Sequence, residues 1–248
     1  MENYNEYITN GDKFINKEKY MDAIREYSKA YELMKDDNDE RAELCYKLSQ
    51  SYFSLDHKSL ENPIKYGEES LKIHEKLNED DMKVMDLMNL GYIYLRSGNR
   101  DDALKHFNDA IDLSAEIKDV QLIALTDNAK AEALSTLKSK YKDALKIYDE
   151  VTGITEKSND WENYFEAIYG KINILRDTDI NEAFELGKKS LDKIDEIMDK
   201  IKTKKEKKEF KDSLGYIYDI TSDIAMELED IDDAMKIAAR SKESTTNP

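Results

Sequence analysis

The chain has 248 residues, with 55 Asp and Glu against 38 Lys and Arg, a formal net charge of −17. Eight Gly and two Pro are too few for many tight hairpin turns, which need the positive φ that Gly, Asn or Asp supply. Val stands only at Val84, Val120 and Val151, so β-sandwiches, barrels and buried parallel sheets are excluded and the class is all-α. Leu, Ile, Val and Phe make up 54 of the 248 residues, few for one globular core of this length. An elongated fold, in which each part buries only its own faces, fits that composition.

In chain order, the first predicted unit carries Tyr7, Gly11 and Phe14, then Ala23, Tyr27 and Ala30. The second is a weaker copy with Cys45, Ser49 and Tyr52, then Pro63, Gly67 and Ser70; Pro63 falls in the first turn of its helix, where a missing N–H costs little. The third repeats the first with identical internal spacing, Leu87, Gly91 and Tyr94, then Ala103, Phe107 and Ala110. A fourth places Ala144, Tyr148 and Val151 in its second helix, a fifth Ala183, Gly187 and Ser190, and a sixth Ala234, Ala238 and Ser241. The anchors 23, 63, 103, 144, 183 and 234 are separated by 40, 40, 41, 39 and 51 residues.

Such a recurrence marks a stacked-repeat architecture, each unit being two helices with apolar residues three and four apart. The last spacing is long because Leu214-Gly215-Tyr216-Ile217-Tyr218 repeats Leu90-Gly91-Tyr92-Ile93-Tyr94, but stands seven residues further from its anchor. Seven residues are two helical turns, so the sixth unit is expected to have an overlong first helix. Asp37 to Asp39, Asp80 and Asp81, Asp119, and Asn159-Asp160 are expected to cap following helices. Ser97-Gly98-Asn99 and Asp177-Thr178-Asp179 are expected to turn the chain inside units.

A Gly followed three residues on by an aromatic, then an Ala, an aromatic four later and an Ala three after that, resembles the tetratricopeptide repeat. The 40-residue spacing is similar to the longer-helix members found in kinesin light chains and bacterial receptors for signalling peptides. The resemblance implies an all-α, right-handed superhelical solenoid of about six antiparallel helix pairs, one domain over 1–248 with units at about 3–37, 38–78, 79–118, 119–157, 158–200 and 201–245. It further implies a non-enzymatic scaffold that binds a peptide or partner segment in a concave groove lined by the first helices. Mapped onto this chain, the groove residues are Tyr46, Gln50, Met88, Tyr92, Asn128, Glu132, Ala167, Lys171 and Tyr216. The corresponding first-unit positions are Ile8 and Asp12, so the Lys and Asn clamp that chaperone-binding members close on a terminal carboxylate is absent there.

No catalytic or cofactor motif accompanies the repeat. His57, His74 and His106 lie in different units, none with a His or Cys three to five residues away, so no metal site and no cofactor is expected. The run Asp36-Asp37-Asn38-Asp39-Glu40 has Arg41 and Lys47 where a calcium loop needs Gly and Glu, and reads as a charged turn. Gly170-Lys171 lacks the earlier Gly of a phosphate loop. Cys45, the single cysteine, sits among apolar residues and reads as a small core side chain; with no possible intrachain disulfide it suits a reducing compartment. The Met1–Glu6 segment lacks the basic flank and apolar stretch of a secretory signal, and no run approaches the roughly 20 apolar residues of a membrane span. A cytoplasmic protein with no membrane partner is expected.

Between Lys200 and Lys211 stand seven Lys and two Glu. Lys202 with Glu206, and Lys205 with Glu209, are four apart and can pair along a helix surface. The alternative is a nucleic-acid-associated factor using this basic segment; a regulatory subunit of an enzyme is another. The acidity of the remaining chain points to a protein or peptide partner of basic or mixed charge, and argues against phosphate backbones.

Overall fold

A computed structural model describes residues 3–56 and 59–242. Its elements are α-helices and one 3₁₀ turn, with no strand among the described residues. The tertiary contacts gather the chain into two compact units, one up to Ala133 and one from Leu134 onward. His57, and the end of the sixth predicted repeat beyond residue 242, lie outside the described residues.

The first unit holds α1 (Tyr4–Ile15), α2 (Tyr20–Leu33), α3 (Asp39–Leu55), α4 (Glu61–Leu77), α5 (Asp80–Arg96), α6 (Arg100–Ile117) and most of α7 (Val120–Ser135). Packing is densest within the pairs α1–α2, α3–α4 and α5–α6, and next between α2 and α3 and between α4 and α5. This is the nearest-neighbour pattern of a stacked-repeat fold. Ala23, Tyr27, Leu44, Cys45 and Leu48 form one core; Val84, Met88, Ala103, Phe107, Ala129 and Ala133 form another. Cys45 is fully buried and its thiol is pushed up to about 12, chiefly by desolvation, as befits a packed and unreactive side chain.

The recurring small residues work by contact. A Cβ placed on Gly91 of α5 would stand 2.6 Å from Cδ1 of Phe107 in α6 and closer still to Cε1; one on Gly11 would stand 2.5 Å from Cδ1 of Tyr27. Each ring thus lies flush on the backbone of the facing helix, which explains why the repeat pairs a Gly in its first helix with an aromatic in its second. The Tyr27 hydroxyl then reaches Asp12, donating at 2.7 Å.

Helix ends follow local chemistry. Asn3, Asn38, Asp160, Asp179 and Thr203 accept backbone N–H bonds as N-caps, and Asp119 accepts from the amides of Gln121 and Leu122. Asp80 and Asp81 do not cap: the N-cap of α5 is Glu79, without a side-chain bond. Both aspartates lie just inside the helix, where they face its positive end, and Asp80 pairs with Lys83 at 2.8 Å. The charged turn at 36–40 is closed by Asp37, which binds Lys76.

Asn78, Lys118 and Asn159, each at the C-cap of a second helix, all take the left-handed conformation, with φ of 58°, 62° and 58°. Glu18 and Gly98, at corresponding places inside the first and third repeats, do the same (φ 56° and 88°). The repeat is thus written in the backbone as well as in the side chains.

Tyr31, Arg41 and Glu69 tie α2, α3 and α4 together. Arg41 donates to Glu69 Oε1 at 2.6 Å and to the Met34 carbonyl at 2.5 Å. Its guanidinium lies 4.2 Å from the Tyr31 ring centroid, and Tyr31 donates to Glu69 Oε2 at 2.8 Å.

The second unit holds a 3₁₀ turn (Lys138–Lys140), α8 (Tyr141–Ser158), α9 (Trp161–Thr178), α10 (Ile180–Lys200), α11 (Lys204–Ser213), α12 (Gly215–Glu227) and α13 (Ile231–Lys242). Helices α8–α9, α9–α10, α10–α12 and α12–α13 pack in sequence around Phe165, Ile168, Ile172, Leu191, Ile194, Ile217 and Ile224.

The overlong helix expected in the sixth repeat is instead two helices, α11 and α12, parted at Leu214 (φ −104°, ψ 14°). The break turns Phe210 toward Phe165, ring centroids 6.4 Å apart, and buries Lys211, whose ammonium donates to the Arg240 carbonyl at 2.6 Å and lies 5.7 Å from the Tyr218 ring centroid.

Lys202 precedes α11 and is not part of a helical ladder, so its expected pairing with Glu206 gives way to a cap in which Thr203 Oγ1 accepts from the Glu206 amide at 3.2 Å and donates to Glu206 Oε2 at 2.7 Å. The pairing of Lys205 with Glu209 is present, at 3.7 Å.

Candidate functional site

Helices α3 and α5, the first helices of the second and third repeats, each present one ridge of side chains to a pocket of about 470 Å³ in the first unit. From α3 come Tyr46, Gln50, Phe53 and Ser54; from α5 come Met85, Met88, Asn89, Tyr92, Ile93 and Arg96; Leu125 of α7 completes the wall. Steps of three and four residues keep each ridge on one helix face.

Asn89, nearly buried, donates to Ser49 Oγ at 2.9 Å, and Ser49 donates to the Pro63 carbonyl at 2.7 Å. This chain of bonds fixes α5 against α3 and α4. Tyr92 stands edge-on to Phe107 with centroids 5.2 Å apart, and the Arg96 guanidinium lies 5.9 Å from the Tyr92 ring centroid. Burial, then the nearby Asp86 carboxylate, pushes the Tyr46 phenol up, so it remains a neutral hydrogen-bonding group. Among the described residues, Arg96 is the only charged one lining the pocket.

The structure therefore brings together four of the nine groove residues expected from sequence: Tyr46, Gln50, Met88 and Tyr92. Asn128 and Glu132 lie on α7, the first nearly buried and the second exposed. Ala167, three residues before Gly170, is fully buried and is not among the residues lining this pocket; in the fifth repeat Gly187 stands at the ring position, and the ring on Gly170 comes from the preceding helix. Tyr148 of α8 lies on Gly170, with Cε2 2.6 Å from where a Cβ would stand.

Lys171 consequently lies beside α8 and pairs with Asp149 at 2.5 Å. Tyr216 is half-buried, edge-on to Tyr169 at 5.2 Å, and its phenol is held well above the usual range, mainly by desolvation. Asp12 of the first repeat is engaged by Lys47 at 3.0 Å as well as by Tyr27.

Phe53, Ser54, Met85, Asn89, Ile93, Arg96 and Leu125 were not singled out by the repeat. Most of them follow from it by stepping three or four residues along the same ridges, 46–50–53 and 85–88/89–92–96.

Among the described residues, no helix is long and apolar enough to cross a membrane. The basic segment is less available than its composition suggests, since Lys211 is buried and bonded to a backbone carbonyl.

Small-residue contacts, helix pairing and a pocket between first helices define a tetratricopeptide-type helical repeat protein. The model of the Iml2/Tetratricopeptide repeat protein 39 family matches residues 42–214, and the chain belongs to that family. No curated protein sequence matches it.

Among solved structures, the apo form of RapI is similar at a TM-score of 0.67 and 18% identity, covering 97% of each chain. A Rap protein complexed with Competence and Sporulation Factor has a TM-score of 0.62 at 17% identity, over 96% of this chain and 73% of that one. The kinesin-light-chain nearly identical TPR-like repeats from Podosopora anserina reach 0.60 at 12% identity, over 75% of this chain and 93% of theirs. At such identities these likenesses establish the fold.

Proposed function

We propose that the protein is a non-enzymatic scaffold that binds a peptide or a segment of a partner protein, and that the pocket between α3 and α5 receives an anchoring side chain of that segment. The observation that carries this reading is the meeting of Tyr46, Gln50, Met88 and Tyr92, each a groove position implied by the tetratricopeptide resemblance, in one pocket of about 470 Å³. Its size lies within the range of pockets that hold a small ligand or a side-chain cluster. Its lining combines methionines and aromatics, which favour an apolar anchor, with Gln50, Asn89 and Arg96, which suit backbone carbonyls or a carboxylate.

The Rap protein complexed with a signalling factor is an instance of ligand binding on the same fold. The basic or mixed charge expected of the partner then divides: an anionic or carbonyl group at Arg96, and basic residues where the segment crosses the acidic surface. A cytoplasmic location, free of membrane partners, belongs to the same proposal.

The test is to select binders to the immobilised full chain from a random peptide library and measure the best by fluorescence anisotropy. Tyr92→Ala and, separately, the exposed-site change Arg96→Glu should each weaken binding at least tenfold, about 1.4 kcal/mol, with helical circular dichroism unchanged. Equal affinity for both variants and the parent would overturn the assignment. Lys171→Glu, whose ammonium is held by Asp149, should leave that affinity unaltered.

A further inference from the structure

His74, in the last turn of α4, is fully buried. Its Nδ1 lies 2.6 Å from Oδ2 of Asp86, a carboxylate equally enclosed in α5. Its Nε2 faces the other way, toward Asp39 Oδ1 at 3.8 Å and Glu79 Oε2 at 3.7 Å. Both Nε2 and Glu79 Oε2 are buried and make no hydrogen bond.

Neither protonation state of the imidazole resolves this arrangement. With Nδ1–H donating to Asp86, a neutral ring aims its Nε2 lone pair at two carboxylates with no donor between them. A doubly protonated ring has a buried Nε2–H whose nearest acceptors lie well outside the 2.7–3.2 Å of an N–H···O bond, an expensive way to hold a donor. A cation bound by all three groups resolves both problems.

We propose that His74, Asp39 and Glu79 form a binding site for a divalent transition-metal ion of the zinc class, with Asp86 as the positioning residue behind the imidazole. The three ligand atoms lie within 4.8 Å of one another. A tetrahedral ion with bonds of about 2.0–2.1 Å sets its ligand atoms about 3.3 Å apart. The two separations from Nε2, 3.7 and 3.8 Å, therefore need about half an ångström of closure, and the carboxylate–carboxylate separation, within 4.8 Å, needs up to about 1.5 Å. The partly exposed side chains of Asp39 and Glu79 can supply it by small rotations.

A carboxylate bonded to the far nitrogen of the ligating imidazole is the usual outer partner of zinc-bound histidine; it fixes the tautomer that exposes the Nε2 lone pair. One imidazole with two carboxylates suits zinc and its neighbours; calcium and magnesium prefer all-oxygen sets.

The ligands come from three elements: Asp39 opens α3, His74 closes α4, and Glu79 is the N-cap of α5. The ion would thus clamp one end of the two helices whose ridges line the pocket.

The test is calorimetric titration of the chelator-treated full chain with Zn²⁺ alone. One ion per chain should bind. Asp39→Asn combined with Glu79→Gln, both at accessible positions, should lower the affinity at least tenfold while leaving the helical signal intact, and Asp86→Asn should cost roughly 10–100-fold. Ca²⁺ should bind more weakly than Zn²⁺ by at least that margin. No saturable binding at micromolar Zn²⁺, undiminished affinity in the Asp39/Glu79 double variant, or Ca²⁺ binding as tight as Zn²⁺ would each overturn the site.

Discussion

Replacing Gly91 by Ala tests whether ring-on-backbone contacts hold the helix pairs together. In the interior of an exposed helix, Gly→Ala stabilises by about 0.5–1 kcal/mol because the unfolded chain loses freedom. At Gly91 the new methyl would stand 2.6 Å from Cδ1 of Phe107 and closer to Cε1. Phe107 is fully buried, and the Tyr92 ring, 5.2 Å away edge-on, restricts its retreat. Overpacking of this kind costs about 1–3 kcal/mol, so after the gain is subtracted the net effect is a destabilisation of up to about 2.5 kcal/mol.

Gly153, in mid-α8, is the internal control, because nothing lies within 4 Å of a Cβ placed there; Gly153→Ala should stabilise by about 0.5–1 kcal/mol. Urea unfolding followed by far-ultraviolet circular dichroism would report both, with m-values checked for constancy. The opposite signs are the prediction. If Gly91→Ala raised the midpoint as much as Gly153→Ala does, the close-packing role of the small residues would be refuted.

Lys118 adopts φ 62° at the C-cap of α6, a conformation that costs a side-chain-bearing residue roughly 1–2 kcal/mol. Lys118→Gly should therefore stabilise by up to about 1 kcal/mol after the unfolded-state entropy of Gly is subtracted, read as a rise in melting temperature. Desolvation first, and then the bond to Glu69, push the Tyr31 phenol up to about 12. Because the folded value lies above the unfolded value of about 10, this stabilisation is complete below pH 10 and is lost as pH rises through 12. A spectrophotometric alkaline titration should lose a tyrosinate step near pH 12 in Tyr31→Phe while the steps that burial holds higher, Tyr216 among them, remain; loss of an ordinary step instead would contradict the assignment.

How far the sequence could be read depends on whether the deciding contacts are local. The Gly–aromatic pairs each lie within one helix pair, so Gly11 with Tyr27 and Gly91 with Phe107 reveal both the repeat and the face of each first helix. Tyr46, Gln50, Met88 and Tyr92 follow directly from that face. In the fifth repeat the contact changes partner, Tyr148 reaching Gly170 from the preceding helix, so the local rule does not carry over to that helix pair.

The break at Leu214 is not legible in the sequence because it is decided by where Phe210 and Lys211 find partners, which periodicity does not record. The cluster of Asp39, His74 and Glu79 is hidden for a similar reason. Its members stand on three separate elements, whereas sequence motifs for metal sites detect neighbours on one helix or loop.

The left-handed residues at Asn78, Lys118 and Asn159 carry a further consequence for how such a chain can change length. A single residue of that conformation ends one helix and starts the approach to the next, so the connection has no slack to absorb an insertion. Extra residues can enter a turn between paired helices, as between Leu55 and Glu61 compared with Arg96 and Arg100, but within a helix any number that is not a whole count of turns rotates the buried stripe out of its seat. In the last repeat, seven additional residues coincide with a new helix break between α11 and α12, which resets the stripe. Growth inside a helix is therefore quantised: it proceeds by whole turns or by a new break, and a one-residue insertion in α5 would be far more damaging than a substitution at most positions along it.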